Sequence, residues 1–196
     1  YEIGKNQRRA FEKRSDTDKI DGMCNSLKNM EVGMKYIETV NGPISPETLG
    51  KTMMHEHCLV DQPQAYRDVE GCDPEYIAFL NSEITMTNRS KIYYHMHKHH
   101  ANLTIDDEAL IIRELQFYKE AGGDTIVDVT TPGIGRDPLA LRRIMDASKV
   151  QIVASTGLYI EDSVPEEFRK MNKHELAAFF EHEIRSGMDD TDIKPG

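Results

Sequence analysis

The stretch Gly50-Lys51-Thr52-Met53-Met54-His55-Glu56-His57-Cys58-Leu59-Val60-Asp61 decides the fold. Its middle reads as a buried strand carrying two imidazoles two positions apart. Successive side chains of a strand point to opposite faces, so His55 and His57 share one face and Glu56 turns to the other. Neutral imidazole is the commonest side-chain ligand for zinc and its neighbours, and two rings on one face can grip a single ion at roughly 2.0 to 2.1 Å each. Taken alone, a His-x-His pair is also compatible with satisfied core or surface histidines. Its setting favours the ligand reading. A turn at Asn41-Gly42-Pro43-Ile44-Ser45-Pro46 precedes the strand and a polar loop follows it, which puts the rings at the strand's C-terminal end. In barrels of alternating strands and helices, chemistry sits at that end.

Working outward, 196 residues suggest one domain with a tail, long enough to bury a substantial core. Acidic side chains outnumber basic ones by 34 to 24, for a net charge of −10. Such a surface repels phosphate backbones and anionic lipid, so neither nucleic acid nor a membrane is an expected partner. No apolar run approaches the roughly 20 residues of a spanning helix, and no signal-peptide pattern opens the chain; the expectation is a soluble, cytoplasmic protein. Cys24, Cys58 and Cys72 lack a Cys-x-x-Cys spacing and read as reduced thiols rather than as disulfides or a cysteine zinc site.

Residues 1–33 are rich in Lys, Arg, Asp and Asn without a sustained period, which predicts a disordered N-terminal extension; an amphipathic arm that docks on a partner is the alternative. From Met34, strand and helix alternate. The connection from about Asp61 to Leu103 is far longer than usual and is placed to act as a lid over the strand end. Its run Tyr93-Tyr94-His95-Met96-His97-Lys98-His99-His100 could form a second, metal-buffering site, but no regular element is predicted to fix the rings, and the preferred reading is that they are not ligands. A helix is expected from Thr104 as N-cap with Asp107 three residues on, and Ile111, Ile112, Leu115 and Tyr118 recur at helical spacing until Gly122. Strands follow at 124–129 and 150–154, separated by a helix announced by Asp137 and Pro138. A last helix, capped by Asn172 with Glu175 and ending at Gly187, would turn Leu176, Phe179, Phe180 and Ile184 inward; His174 and His182 on it read as solvated. Three strand–helix units in succession imply parallel strands.

The blocks Val40 to Glu47 and Met54-His55-Glu56-His57, then Gln62-Pro63 and Tyr66-Arg67-Asp68, then Val127 to Pro138, and finally Ile152 to Tyr159, occur in an order that closely resembles the phosphotriesterase family of the amidohydrolase superfamily, in its phosphotriesterase-related branch. Cys58 and Ser155 depart from the family's usual aliphatic residue and glycine. The resemblance implies that residues 34–196 are the first three β/α units of a TIM (β/α)8 barrel. Because such barrels typically take about 250 residues, the expectation is a truncated, N-terminal part of a longer hydrolase.

The resemblance further implies two divalent ions per complete subunit, usually zinc, at the strand ends. The family holds them with first-strand histidines, a bridging glutamate or carboxylated lysine from strand four, histidines from strands five and six, and an aspartate from strand eight. Residue by residue, His55 and His57 match the first-strand ligands, and every other ligand would fall beyond Gly196, so no catalytic base is assigned within this chain. Tyr159 matches a tyrosine that lines the substrate pocket in lactonase-like relatives, or else packs the barrel mouth. Asp128 corresponds to a structural residue. The implied activity is metal-dependent hydrolysis of an ester, lactone, phosphoester or amide bond in a small molecule. The alternative is an inactive fragment acting only through association with a partner or a full-length copy. Homo-oligomer formation stays open.

Overall fold

A computed structural model of the chain describes residues 35–62 and 71–196, and the architecture is that of the unit Tyr36–Gly196. In chain order the strands are β1 (Ile37–Thr39), β2 (Gly42–Ile44), β3 (Thr52–Glu56), β4 (Val60–Asp61), β5 (Thr104–Ile105), β6 (Thr125–Asp128) and β7 (Gln151–Ala154). The helices are α1 (Pro74–Leu80), α2 (Arg89–Tyr94), α3 (His100–Leu103), α4 (Glu108–Glu120), α5 (Pro138–Ser148), α6 (Glu166–Arg169) and α7 (Lys173–Ser186). Strands β3, β6 and β7 form a parallel sheet in that order, with α4 joining the first two and α5 the last two. β1 and β2 make an antiparallel hairpin ahead of it. Gly42 turns that hairpin at φ 103°, a region open to glycine at little cost.

Local chemistry starts and stops these elements. Asp137 accepts a hydrogen bond from the Ala140 N–H at 2.9 Å with Pro138 in the first turn, and Asn172 with Glu175 completes a reciprocal capping box on α7. The core is a single cluster in which Ile126 and Ile152 of the sheet meet Leu141, Ile144 and Met145 of α5. Strand β7 is edged by backbone from both ends of the unit: the Val40 N–H donates to the Ile152 carbonyl at 3.0 Å and the Gly196 N–H to the Ala154 carbonyl at 2.9 Å.

Four expectations need correction. The N-cap of α4 is Asp107, whose carboxylate accepts from the Leu110 N–H at 3.0 Å, because Thr104 is drawn into β5, where it pairs with Asp61 of β4. The described residues of the long connection hold three short helices, so the residues 95–100 do sit against regular elements. Strand β3 is not buried: it lies at one side of its sheet, paired to β6 alone among the described residues, and Met54 is 70% exposed. On α7 the inward position belongs to Glu183, 1% exposed, while Ile184 is exposed and Phe179 and Phe180 are half-buried. Glu183 takes that place because the buried Arg136 guanidinium binds its carboxylate through two nitrogens, at 2.5 and 3.1 Å, and also binds Asp189; the Thr156 hydroxyl donates to the same carboxylate. Burying a carboxylate is tolerable only when it is paired in this way.

The extension at 1–33 and the motif residues Pro63, Tyr66, Arg67 and Asp68 lie outside the described residues. Among the described residues no helix is long and apolar enough to cross a membrane.

Truncating Ile144, which is fully buried, to alanine should cost about 2 to 5 kcal/mol in urea unfolding. The same change at Leu139, 49% exposed on the same helix, should stay within roughly 0.5 kcal/mol. Comparable losses at the two positions would contradict the packing described.

Candidate metal centre at the end of strand β3

His55 is the penultimate residue of β3 and His57 follows its last residue. Their ring centroids are 5.8 Å apart with planes at 76°, so the two imidazoles are neighbours at the C-terminal end of the sheet, as the alternation predicts. The ladder to β6 slips between Met53 and Glu56, the stretch that carries His55. His55 is exposed and His57 half-buried. Glu56 and His57 both border an open cleft of about 300 Å³ against α4, with Met53, Ile111 and Leu115, so the slip in the ladder sets Glu56 beside the histidine's cleft and not on a separate face.

What holds this strand end is the buried carboxylate of Asp128, the last residue of β6. One of its oxygens accepts from the Cys58 N–H at 2.7 Å and the other from the Thr130 N–H at 2.9 Å. The Thr130 hydroxyl lies 2.9 Å from Nδ1 of His57 and donates to the Leu59 carbonyl at 3.1 Å. The Val129 N–H adds a bond to the Glu56 carbonyl at 3.0 Å. Two adjacent strand ends are thereby stitched together by backbone donors and one charged acceptor, with His57 at their junction. Burial, reinforced by the neighbouring Asp128 carboxylate, pushes the Cys58 thiol well up from its ordinary range, and the side chain packs within the core cluster.

Tyr159 stands in the loop after β7 and is 56% exposed. Two histidines of the long connection, His95 and His99, serve packing. His95 sits 3.0 Å from the Tyr76 hydroxyl through Nδ1 and edge-on to Phe79, and His99 is buried against the same ring at 5.3 Å, where burial lowers its pKa. Lys91 lies over the face of Phe79 at 4.0 Å. Among the described residues no three His, Cys, Asp or Glu side chains converge as an ion-binding group, so His55 and His57 stand as a pair. Thr130 was missed by sequence reasoning. The signal was present, since an Asp-x-Thr at a strand end places both side chains on one face of the sheet.

Known proteins share this arrangement of strands and helices. The Phosphotriesterase family matches residues 35–196. A phosphotriesterase-related protein of Nematostella vectensis is 35% identical over 167 residues, covering 81% of this chain and 46% of the relative. An N-acetyltaurine hydrolase of Tetraodon nigroviridis is 34% identical over 161 residues, covering 82% of this chain and 45% of the relative. The chain thus spans somewhat under half the length of these curated relatives. Among solved structures, a resiniferatoxin-binding protein from Rhodobacter sphaeroides superposes with a TM-score of 0.74 at 33% identity, over 82% of this chain and 44% of that one. A lactonase from Listeria monocytogenes superposes with a TM-score of 0.58 at 23% identity, and shares the fold.

Replacing Asp128 by alanine leaves two buried N–H groups without an acceptor, and should destabilise the protein by about 2 to 5 kcal/mol in urea unfolding. In the native protein at pH 8, alkylation read by mass spectrometry should spare Cys58, 3% exposed, and modify the half-buried Cys72; denaturant should abolish the difference.

Proposed function

This chain belongs to the phosphotriesterase family, its three parallel strands and their helices being the opening units of that family's (β/α)8 barrel, and from that premise we propose a metal-dependent hydrolase in which His55 and His57 ligate a divalent ion, zinc before others. The observation that carries the reading is the pairing of the two imidazoles at 5.8 Å on one strand end. Two rings bonded to one tetrahedral ion at about 2.0 to 2.1 Å have centroids on the order of 5 Å apart, so the pair fits the demand. An all-nitrogen donor pair also suits zinc better than calcium or magnesium, which prefer oxygen.

A bound ion of this kind polarises the bond to be cleaved and lowers the pKa of water toward neutrality. The residues of this chain do the rest of what can be assigned here. His55 and His57 fix the position of the reacting centre at the mouth of the sheet. Asp128 holds the backbone on which His57 and Thr130 are displayed. Tyr159, on the loop leaving the third parallel strand, borders the substrate in this reading. Two rings give half of a tetrahedral set, and a catalytic zinc usually has three protein ligands; the remaining ones are assigned to family positions that have no counterpart in these residues.

The bond attacked belongs to a small molecule and is an ester, lactone, phosphoester or amide. The relatives named N-acetyltaurine hydrolase, 30 to 35% identical to this chain, favour the amide. A second reading rests on the side of β3 that no described residue pairs with, where Met53 and Met54 are 41% and 70% exposed: these residues would then act only when associated with a partner or a full-length copy.

The test is metal analysis and turnover of purified protein. Replacing His55 and His57 together by alanine should remove at least one equivalent of zinc per subunit and lower kcat/KM on N-acetyltaurine by 10³-fold or more. Zinc content and turnover unchanged in the double variant would overturn the assignment. Activity of a longer form of the protein with none from the 196 residues alone would decide for the second reading.

A further inference from the structure

The contacts around His57 specify which of its ring nitrogens is available. The Thr130 hydroxyl has a single proton, and of its two neighbours the Leu59 carbonyl, at 3.1 Å, can only accept it. Toward His57, 2.9 Å away, the same oxygen can then act only as an acceptor. Nδ1 of the neutral imidazole must therefore carry the ring proton and donate it, which leaves the Nε2 lone pair as the free donor. The hydroxyl itself is not free to turn away. Its own backbone N–H is held by Asp128 at 2.9 Å, the partner carbonyl of Leu59 follows Cys58, whose N–H is held by the same carboxylate at 2.7 Å, and Thr130 is 2% exposed. A carbonyl that can only accept on one side and a ring nitrogen on the other leave one arrangement in which both contacts are hydrogen bonds.

From this we infer that Thr130 is a positioning residue that sets the tautomer and rotation of His57, presenting Nε2 toward the ion. The inference deepens the proposed function and rests on it for the identity of the ion, but the tautomer is a property of the polypeptide itself. Among the described residues of this strand end His55 has no comparable hydrogen-bond partner, so the two rings are unequal. His57 is held in a set orientation, whereas His55 stands exposed at the rim with only the neighbouring ring beside it. A carbonyl or carboxylate behind a ligand histidine does this work in many metal sites, and loss of such a partner typically costs about 10- to 100-fold in metal affinity. Here a threonine hydroxyl relays the backbone carbonyl to the ring.

The experiment uses the full chain, isotopically labelled, in wild-type form and as Thr130→Val and Thr130→Ser. Long-range ¹⁵N–¹H correlation of the metal-free wild type should show His57 as the Nδ1–H tautomer. Thr130→Val, nearly isosteric but without the hydroxyl, should shift that ring to a mixture of tautomers and weaken zinc binding, measured by chelator competition, by about 10- to 100-fold. Thr130→Ser, which keeps the hydroxyl, should retain the tautomer and bind zinc within about threefold of wild type. A wild-type ring in the Nε2–H form would overturn the inference, as would a valine variant with unaltered tautomer, or a serine variant impaired as much as the valine one. If instead the tautomer responds as expected while zinc binds equally well without His55 and His57, the positioning role stands and the metal assignment fails, so the two are separable.

Discussion

A single buried carboxylate, that of Asp128, is what the C-terminal end of the parallel sheet depends on. Parallel strands leave their terminal N–H groups unpaired where the ladder stops, and in a closed interior each such donor would cost about 1 to 3 kcal/mol. Asp128 answers two of them at once, from Cys58 on the neighbouring strand and from Thr130 on its own. The charge-assisted bonds fix the path of both chains as they leave the sheet. His57 lies between the two anchored residues, so its backbone has little freedom, and the Thr130 hydroxyl then removes the remaining freedom of its ring.

The same principle, a buried charge fully met by donors, recurs at the outer layer. Arg136 leaves the β6 strand end and pairs with Glu183 on α7 and Asp189 just beyond it, tying the second and third β/α units together. Thr156, from the end of β7, joins the same carboxylate. A buried pair such as Arg136–Glu183 is weak evidence for net stability, but it tolerates little rearrangement, since freeing either of the two strands the other in a dry setting. Strand ends built in this way can present side chains at fixed positions while the faces of the sheet are filled by Ile126, Ile144 and Ile152. The division of labour is that of parallel barrels in general, with packing beneath and chemistry above.

The long connection after β4 illustrates how tertiary contacts redirect a histidine-rich sequence. Four histidines within residues 93–100 have the composition of a metal tract, yet two of the rings are spent on Phe79, which also carries Lys91 on its face. An aromatic side chain on α1 supplies a flat apolar and electron-rich surface, and imidazole packs on it as readily as it binds an ion. Composition registers only the nitrogen atoms; the fold determines which of them face a partner.

Read by itself, the chain determined its strand–helix alternation, the caps at Asp137 and Asn172, the stripe of α4, and the common face of His55 and His57, because each depends on spacing along a few neighbouring residues. The family, too, was written in separated motifs. Tertiary structure alone decided that Thr104 pairs with Asp61 in place of capping a helix, that β3 is open on one side, that Glu183 displaces Ile184 from the inward position of α7, and that Thr130 stands behind His57. The three polar placements among these turn on partners 43 to 73 residues away in sequence. Whether a polar side chain gains more from a local cap or from a distant buried partner is a difference between two desolvation costs, and no window of sequence contains both terms.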